Sequence, residues 1–578
     1  WVKNNPFCYF YGALLCYFVK NLKMMKYRFS LLLIGILLIN TIQCAKRATP
    51  TGGPKDSLPP IMVNASPKMN TTFFDKEEIT LTFDEFVTLK DVGKQLIISP
   101  PLSSEKYKVY PTTGASKKVN IKLTDTLFEN TTYTFNFGES IIDFNENNPT
   151  SYLTYTLSTG ATIDSLFIRG RISDAFEKDT ERFISLQLYP IDSTYKDSTV
   201  FTKKPLYVTS TLDTTIFRFQ NLRAGKYAII ALEDKAGNYF FDQSEDKIGY
   251  LDRLIELPQD SIIDLNLFKE RTNFFWDKPN FINDHHIAIA YYGQHDAQVF
   301  EMTSDVPDSF ESLVTKNRVT DTLDYWFRGA SLDSLKFKIE IQDTLRTKTV
   351  FFKDPIEDSL IIKKFTKGSL RLKSKLELES NLPVTEVDSE KIIVTNVDTI
   401  QIPAFLKIQK NYDRITVDFE VIPNDRYEIK LLPNALKDFW GRTHDTIIFR
   451  TSTKKIEDYG NIYLRVQHES PSPYIIELLN NKKVVRRYDS LMPGNKYSFE
   501  LLNAGKYIVR LIEDSNGNRK WDTGNYLEKI QPEKIIYYWK EIDLRANWDM
   551  NETFNTSQNY LDLPESATSS DMLLTRDN

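Results

Sequence analysis

One stretch of this chain occurs twice. Phe219-Gln220-Asn221-Leu222-Arg223-Ala224-Gly225-Lys226-Tyr227 returns as Phe499-Glu500-Leu501-Leu502-Asn503-Ala504-Gly505-Lys506-Tyr507. Glu233-Asp234 returns as Glu513-Asp514, Gly237-Asn238 as Gly517-Asn518 and Asp242 as Asp522, always 280 residues on and without a gap. A constant offset means one fold used twice, so any architecture proposed for the first copy must also suit the second. Both copies lie among short runs in which apolar and polar residues alternate, such as Ile79–Phe83 and Val119–Leu123. These runs recur about every eight to twelve residues between Asn, Asp, Gly and Pro, the pattern of half-buried strands in β-sandwiches. No long helical period follows the N-terminal region. At 578 residues the chain exceeds the roughly 250–300 that one core supports. The expected fold is all-β, in tandem sandwich domains.

The N-terminal region has a different character. A basic stretch, Met24-Met25-Lys26-Tyr27-Arg28, precedes the apolar run Leu31 to Ile42, and Cys44 closes it. The run is shorter than the roughly 20 residues of a spanning helix and suits a secretory signal. Together these features resemble a bacterial lipoprotein signal peptide over 24–43, with Cys44 as the lipidated residue. Gln43 departs from that pattern, which has a small residue before the cysteine. A plain secretory signal or an uncleaved anchor is the other reading. Residues 1–23 begin with Trp1 and carry a second apolar patch, which suggests an over-long start. Residues 44–57, rich in Gly, Pro and Lys, form a tether that cannot pack.

The first domain, 58–160, carries a family resemblance. Pro50-Thr51-Gly52-Gly53-Pro54-Lys55-Asp56 leads to Phe83-Asp84-Glu85-Phe86-Val87 and Ser99-Pro100-Pro101-Leu102. Asn130-Thr131-Thr132-Tyr133, Phe137-Gly138 and Asp143-Phe144-Asn145-Glu146 follow. This stretch resembles the SbsA-type bacterial Ig-like domain found in Bacteroidota lipoproteins. The resemblance implies a structural or interaction module and no catalytic residues. The repeat copies, 161–270 and 456–549, resemble transthyretin-like, carboxypeptidase-regulatory β-sandwiches. Residues 366–455 read as a degenerate second Ig-like domain, with Lys437-Asp438 standing where Ile142-Asp143 stands in the first. Residues 271–365 form a divergent β domain opened by Asn273-Phe274-Phe275-Trp276, read as a core strand. Residues 550–578 read as a disordered tail. Short linkers such as Gly160-Ala161-Thr162 predict a semi-rigid, elongated array.

Composition narrows the chemistry. A net charge of −5 without a basic stripe excludes a nucleic-acid partner. Once Cys44 carries lipid, the mature chain has no thiol left for a disulfide, a zinc-thiolate site or a nucleophile. Five histidines argue against most metal and acid–base enzymes. His285 and His286, beside Asp284 and His295, read as solvent-exposed. Asp84-Glu85 are adjacent on a strand and point to opposite faces, which argues against joint catalysis. Asp514, Asn516, Asn518 and Asp522 place oxygens at positions 1, 3, 5 and 9 of a loop, resembling a calcium loop. The competing reading is a hairpin in which Asx side chains bond their own backbone. The earlier copy has Ala236 where Asn516 stands. Asp followed by Ser or Thr and an aliphatic residue recurs, as in Asp125-Thr126-Leu127 and Asp398-Thr399-Ile400. That motif resembles an O-glycosylation sequon of Bacteroidota exported proteins and equally suits turns ahead of strands.

The expected function is a non-enzymatic, lipid-anchored structural or interaction module of the cell envelope. It sits at the outer membrane, with the periplasmic face favoured by the basic Lys46-Arg47, and takes envelope proteins as partners. The alternative is a surface adhesin or glycan-binding lipoprotein using Trp276, Trp326, Trp440 or Trp521 against sugar rings.

Overall fold

The computed structural model describes residues 56–557 apart from 151, 213, 261, 273, 284, 294–299, 330–331, 342–343, 353–357 and 491–495. Cys44 and residues 558–578 lie outside the described residues. The described chain is a succession of β-sandwiches, each with its own core, because alternation on successive strands gives every sheet one apolar face to bury.

In the first unit, one sheet runs Met62–Ser66, Glu78–Leu89, Ser116–Leu123, Tyr107–Tyr110. The long strand bulges between Thr82 and Val87, and its far half pairs with Ile141–Asp143. The facing sheet is Ile97–Ser99, Thr132–Asn136, Thr154–Ser158. Phe83, Phe135, Phe137 and Tyr155 fill the space between. The fourth unit repeats this order with Ile362–Lys364, Leu376–Ser380, Arg414–Phe419 and Ala404–Ile408. Its counterpart of the bulged half-strand is Val384–Val387, paired with Leu436–Asp438. Val87 faces Asp143 as Val384 faces Asp438. Both aspartates are buried and accept backbone N–H groups of the next turn, which replace the hydrogen bonds to water that burial removes.

The second and fifth units, which hold the repeated stretch, share one topology. The second has Tyr207–Ser210, Ser185–Pro190, Gly225–Glu233 and Lys247–Tyr250 in one sheet, with Ile255–Leu257 beside the start of Gly225–Glu233. The fifth has Lys483–Ser490, Tyr474–Asn480, Gly505–Glu513 and Ile535–Tyr537, with Ile542–Leu544 in the same auxiliary place. The opposing sheets are Ile216–Leu222, Leu166–Asp174, Ile262–Leu267 and Lys496–Asn503, Tyr459–Gln467, Asp549–Asn555. In both, the last strand pairs parallel to the first.

Two expectations are corrected. Met550–Asn555 belongs to that closing strand rather than to a tail. Phe554 is fully buried in the core, and Glu552, though charged, is satisfied by the Tyr538 hydroxyl (2.8 Å) and Lys540 (2.9 Å). A short strand with one aromatic and a buried carboxylate has too little apolar pattern to be seen in sequence. The elongated array is the second. The first and second units join through Ile97, Val208 and Leu212. The third and fourth join through Trp326, Leu382 and Phe439, and through Arg318 on Asp413 (2.7 Å). The fifth unit then packs back onto the second, so units two to five form a closed circuit. Linker length limits how far neighbours swing; it does not decide which surfaces meet.

The third unit is built on Trp276, buried against Tyr291, in agreement with the core-strand reading of its opening segment.

Candidate functional site

The loop after Gly505–Glu513 holds the oxygen-rich residues, and it is a hydrogen-bonded hairpin. Asp514 is buried; its two oxygens accept the backbone N–H of Asn518 (3.0 Å) and Arg519 (2.9 Å). Asn518 Oδ1 accepts Lys520 N–H (2.8 Å). Asn516 and Asn518 both donate their side-chain amides to one oxygen of Asp522, and Arg271 pairs with the other. Partial burial opposes ionisation of Asp522, but these three donors hold its carboxyl below its ordinary value. Burial pushes the Glu533 carboxyl up, against the backbone N–H groups of Asp522 and Ser515 that it accepts.

The earlier copy folds the same way. Asp234 accepts Gly237 and Asn238 N–H on one oxygen and Tyr239 N–H (2.7 Å) on the other, and Asn238 accepts Phe240 N–H. Gly237 and Gly517 take φ of 65° and 71°, and Tyr239 and Arg519 take 66° and 62°. The shape thus survives Ala236, which lacks the oxygen of Asn516. The structure brings Asp514, Asn516, Asn518 and Asp522 into one loop, with their oxygens engaged by protein donors. Among the described residues no group of three or more His, Cys, Asp or Glu side chains is placed to hold a metal ion.

This loop is one side of the seam between the second and fifth units. Beyond Asp522, Thr523 donates to Lys269 carbonyl oxygen (2.6 Å), and Tyr526 N–H donates to the buried Glu270 carboxylate. Tyr526 is 1% exposed and sits in the outer core of the second unit with Ile230, Phe241, Tyr250 and Phe268. Its ring meets Tyr250 edge-on at 5.1 Å. Gly524 is required by this approach: a Cβ there would lie 2.8 Å from the Phe268 ring and 2.5 Å from the Ile530 carbonyl oxygen. Lys529 covers the Tyr526 ring at 4.2 Å and pairs with Asp197 (2.7 Å). In the other direction Phe176 of the second unit enters the fifth. Trp521 lies 4.8 Å from its ring, the Arg510 guanidinium 4.4 Å, and Tyr537 donates to its carbonyl (2.7 Å). Arg510 is itself paired with buried Glu477 (2.7 Å).

The sequence held a signal for this seam. Tyr227-Ala228-Ile229-Ile230-Ala231-Leu232 is a continuous apolar run, buried at every position. Such a strand needs cover on both faces; the sandwich supplies one and the Tyr526 region the other.

The tryptophans named for sugar stacking are engaged within the protein. Trp276 and Trp326 are buried; Trp326 stacks on His286 at 3.8 Å and donates to Thr315. Arg442 lies over Trp440, whose Nε1 donates to Phe327 carbonyl oxygen. Trp521 is under Phe176. Among the described residues the exposed indoles are Trp539, at 58%, and Trp548, at 49%, which sequence reading did not single out. The histidines are also corrected. His286 is half-buried and bonded to Asp324 (2.8 Å), and His285 packs edge-on against Trp440; Asp284 and His295 lie outside the described residues. Asp84 accepts Ile61 N–H at the strand bulge, while burial and then Asp143 and Asp84 push the Glu85 carboxyl up. Among the Asp-Ser/Thr-aliphatic motifs, Ser57, Thr126, Ser165, Ser359 and Thr399 are exposed. Ser261 lies outside the described residues.

The described chain is thus a multidomain β-sandwich protein with an internal duplication. The bacterial Ig-like domain family matches residues 56–159, which is the first sandwich. No curated protein matches the chain. Among solved structures, surface layer protein SbsC, domains 1–6, is 10% identical over 69% of this chain and 67% of its own, with a TM-score of 0.16. BcpA, the major pilin subunit of Bacillus cereus, is 10% identical over 68% and 100%, with a TM-score of 0.13. The BSP domain of a biofilm associated protein is 8% identical over 70% and 99%, with a TM-score of 0.14. Scores this low define neither the arrangement of the domains nor the function.

Proposed function

We propose that this chain is a non-enzymatic outer-membrane lipoprotein of the Bacteroidota type, a structural or interaction module anchored through Cys44. The observation that carries the reading is the bacterial Ig-like match beginning at residue 56, directly behind a Gly/Pro/Lys tether and a cysteine that ends an apolar run. The two repeat copies are transthyretin-like sandwiches that brace one another. Lys46-Arg47 favours the periplasmic face, with other envelope proteins as partners, and the exposed Asp-Ser/Thr-aliphatic sites carry O-glycans. Radioactive palmitate labels the wild type and not a Cys44→Ser variant if the anchor is lipid. Equal labelling of both would end the reading. Pulldown from solubilised envelopes recovers partner proteins; recovery of the chain alone counts against the assembly role.

A second reading, a surface adhesin or glycan-binding lipoprotein, draws on Trp539 and Trp548, whose indoles are open to solvent and near Lys540 and Arg545. Protease treatment of intact cells separates the two: cleavage favours the surface reading, protection the periplasmic one.

A further inference from the structure

The first and second units enclose a cleft of about 460 Å³, within the range of about 300–1,000 Å³ usual for small-molecule sites. We infer that this cleft binds a small organic anion with an apolar body, a carboxylate of aryl or alkyl type, head outward against Lys203 and Lys204.

The cleft is preformed, because the junction that shapes it is fixed at several points. Ile97, Val208 and Leu212 pack together at the junction of the two units. Ser99 accepts Val208 N–H (3.1 Å), and Asn221 donates to Thr134 (2.8 Å) and Thr156 (3.1 Å). Arg223 donates to Asn130 carbonyl oxygen (2.6 Å). A ligand entering here does not have to order the domains, and preorganisation of this kind lowers the cost of binding.

The lining decides the ligand class. Pro100, Pro101, Leu102 and Pro205 form apolar walls, beside the rings of Tyr133, Tyr189 and Tyr195. Proline has no N–H, so the body of the cleft offers apolar surface with few backbone donors. The cationic donors are Lys203 and Lys204, both exposed; Lys204 reaches Ser103 (3.5 Å) and the Tyr239 ring, and among the described residues neither lysine has a carboxylate within ion-pair distance. Lys106, also in the lining, is already paired with Asp125. The one carboxylate in the lining, Asp192, accepts the N–H and the hydroxyl of Thr194, which hold its carboxyl below the ordinary value, with a smaller contribution from the Lys203 charge. Phe128 stands at the mouth, largely exposed, placed to close over an apolar body. One charged end and one apolar end are what this arrangement satisfies.

The inference does not depend on lipid anchoring. Isothermal titration of the full chain with 4-phenylbutyrate, and with its uncharged amide, tests it. The acid is expected to bind with one-to-one stoichiometry, at least tenfold tighter than the amide. A Lys203→Glu/Lys204→Glu variant, altered only at exposed positions, loses that affinity at least tenfold while keeping the wild-type melting temperature. Phe128→Ala weakens acid and amide together. Absence of saturable binding, equal affinity for acid and amide, or unchanged binding by the double variant would each overturn the inference.

Discussion

Ile230 and Arg510 occupy the same position in the two repeat copies, and each faces the other copy across the seam. Ile230 shares a buried cluster with Tyr526, and Arg510 lies against Phe176. Duplication thus produced two equivalent faces, and divergence made one apolar and the other a buried ion pair under an aromatic ring.

Truncating the apolar half should open the circuit. Tyr526→Ala removes a fully buried ring, at a cost of about 3–5 kcal/mol. The expected outcome is a lower melting temperature together with a larger radius of gyration in small-angle scattering. A variant as compact and as stable as the wild type would mean the seam contributes nothing.

The other half rests on Arg510 and Glu477, with side chains 6% and 4% exposed. Glu477→Ala leaves the buried Arg510 without its carboxylate, while Arg487 keeps Asp489. Loss of one partner of a buried pair costs about 3–5 kcal/mol. Replacing Arg510 and Glu477 together by Met and Leu should recover much of that. Urea denaturation of the single and double variants measures the difference; equal loss in both would locate the cost elsewhere.

The hairpin loops should be indifferent to calcium. Millimolar calcium is expected to leave the thermal melt unchanged, since Asp514 and Asp522 already accept protein donors. Asp514→Ala and Asp234→Ala should each destabilise by about 1–3 kcal/mol through the N–H groups they strand. A calcium-dependent rise in the wild-type melt, absent in Asp514→Ala, would restore the ion site.

His468 should make the fifth unit acid-sensitive. Its buried ring bonds Thr556 (2.8 Å) and packs on Tyr474, with Glu513 4.0 Å away and Glu469 and Lys534 also near. Burial lowers its pKa below the ordinary 6.5, against the pull of Glu513. The unfolded chain therefore binds the proton first. Stability from this residue is complete above about pH 6.5 and is lost as pH falls toward the folded-state value. His468→Gln should flatten that part of the pH dependence between pH 7.5 and 5, read as urea midpoints. An unchanged slope would exclude His468.

What was readable in the sequence was local or repeated. Period-two alternation gave away the strands, and the 280-residue offset anticipated the shared topology of the second and fifth units. The seam was not readable in the same way. Tyr526 lies beyond the gap-free part of the repeat, in Thr523-Gly524-Asn525-Tyr526-Leu527-Glu528, where one aromatic among polar residues looks like a surface loop. Its partner surface is 276 residues away, and alternation carries no information about contacts at that distance. Trp326 and Trp440 misled for a related reason: an indole suits a domain junction as well as a sugar ring.

The parallel closing strand has a bearing on synthesis. Asp549–Asn555 completes the fifth unit by pairing beside Tyr459–Gln467, so that unit cannot finish folding until its last residues have emerged. The second unit emerges far earlier, and its outer apolar face must wait uncovered for Tyr526. At about 5–20 residues per second the wait lasts tens of seconds. During that interval the nascent chain presents a sticky, half-built surface, and this is the stage at which a chaperone or a neighbouring nascent copy would find it.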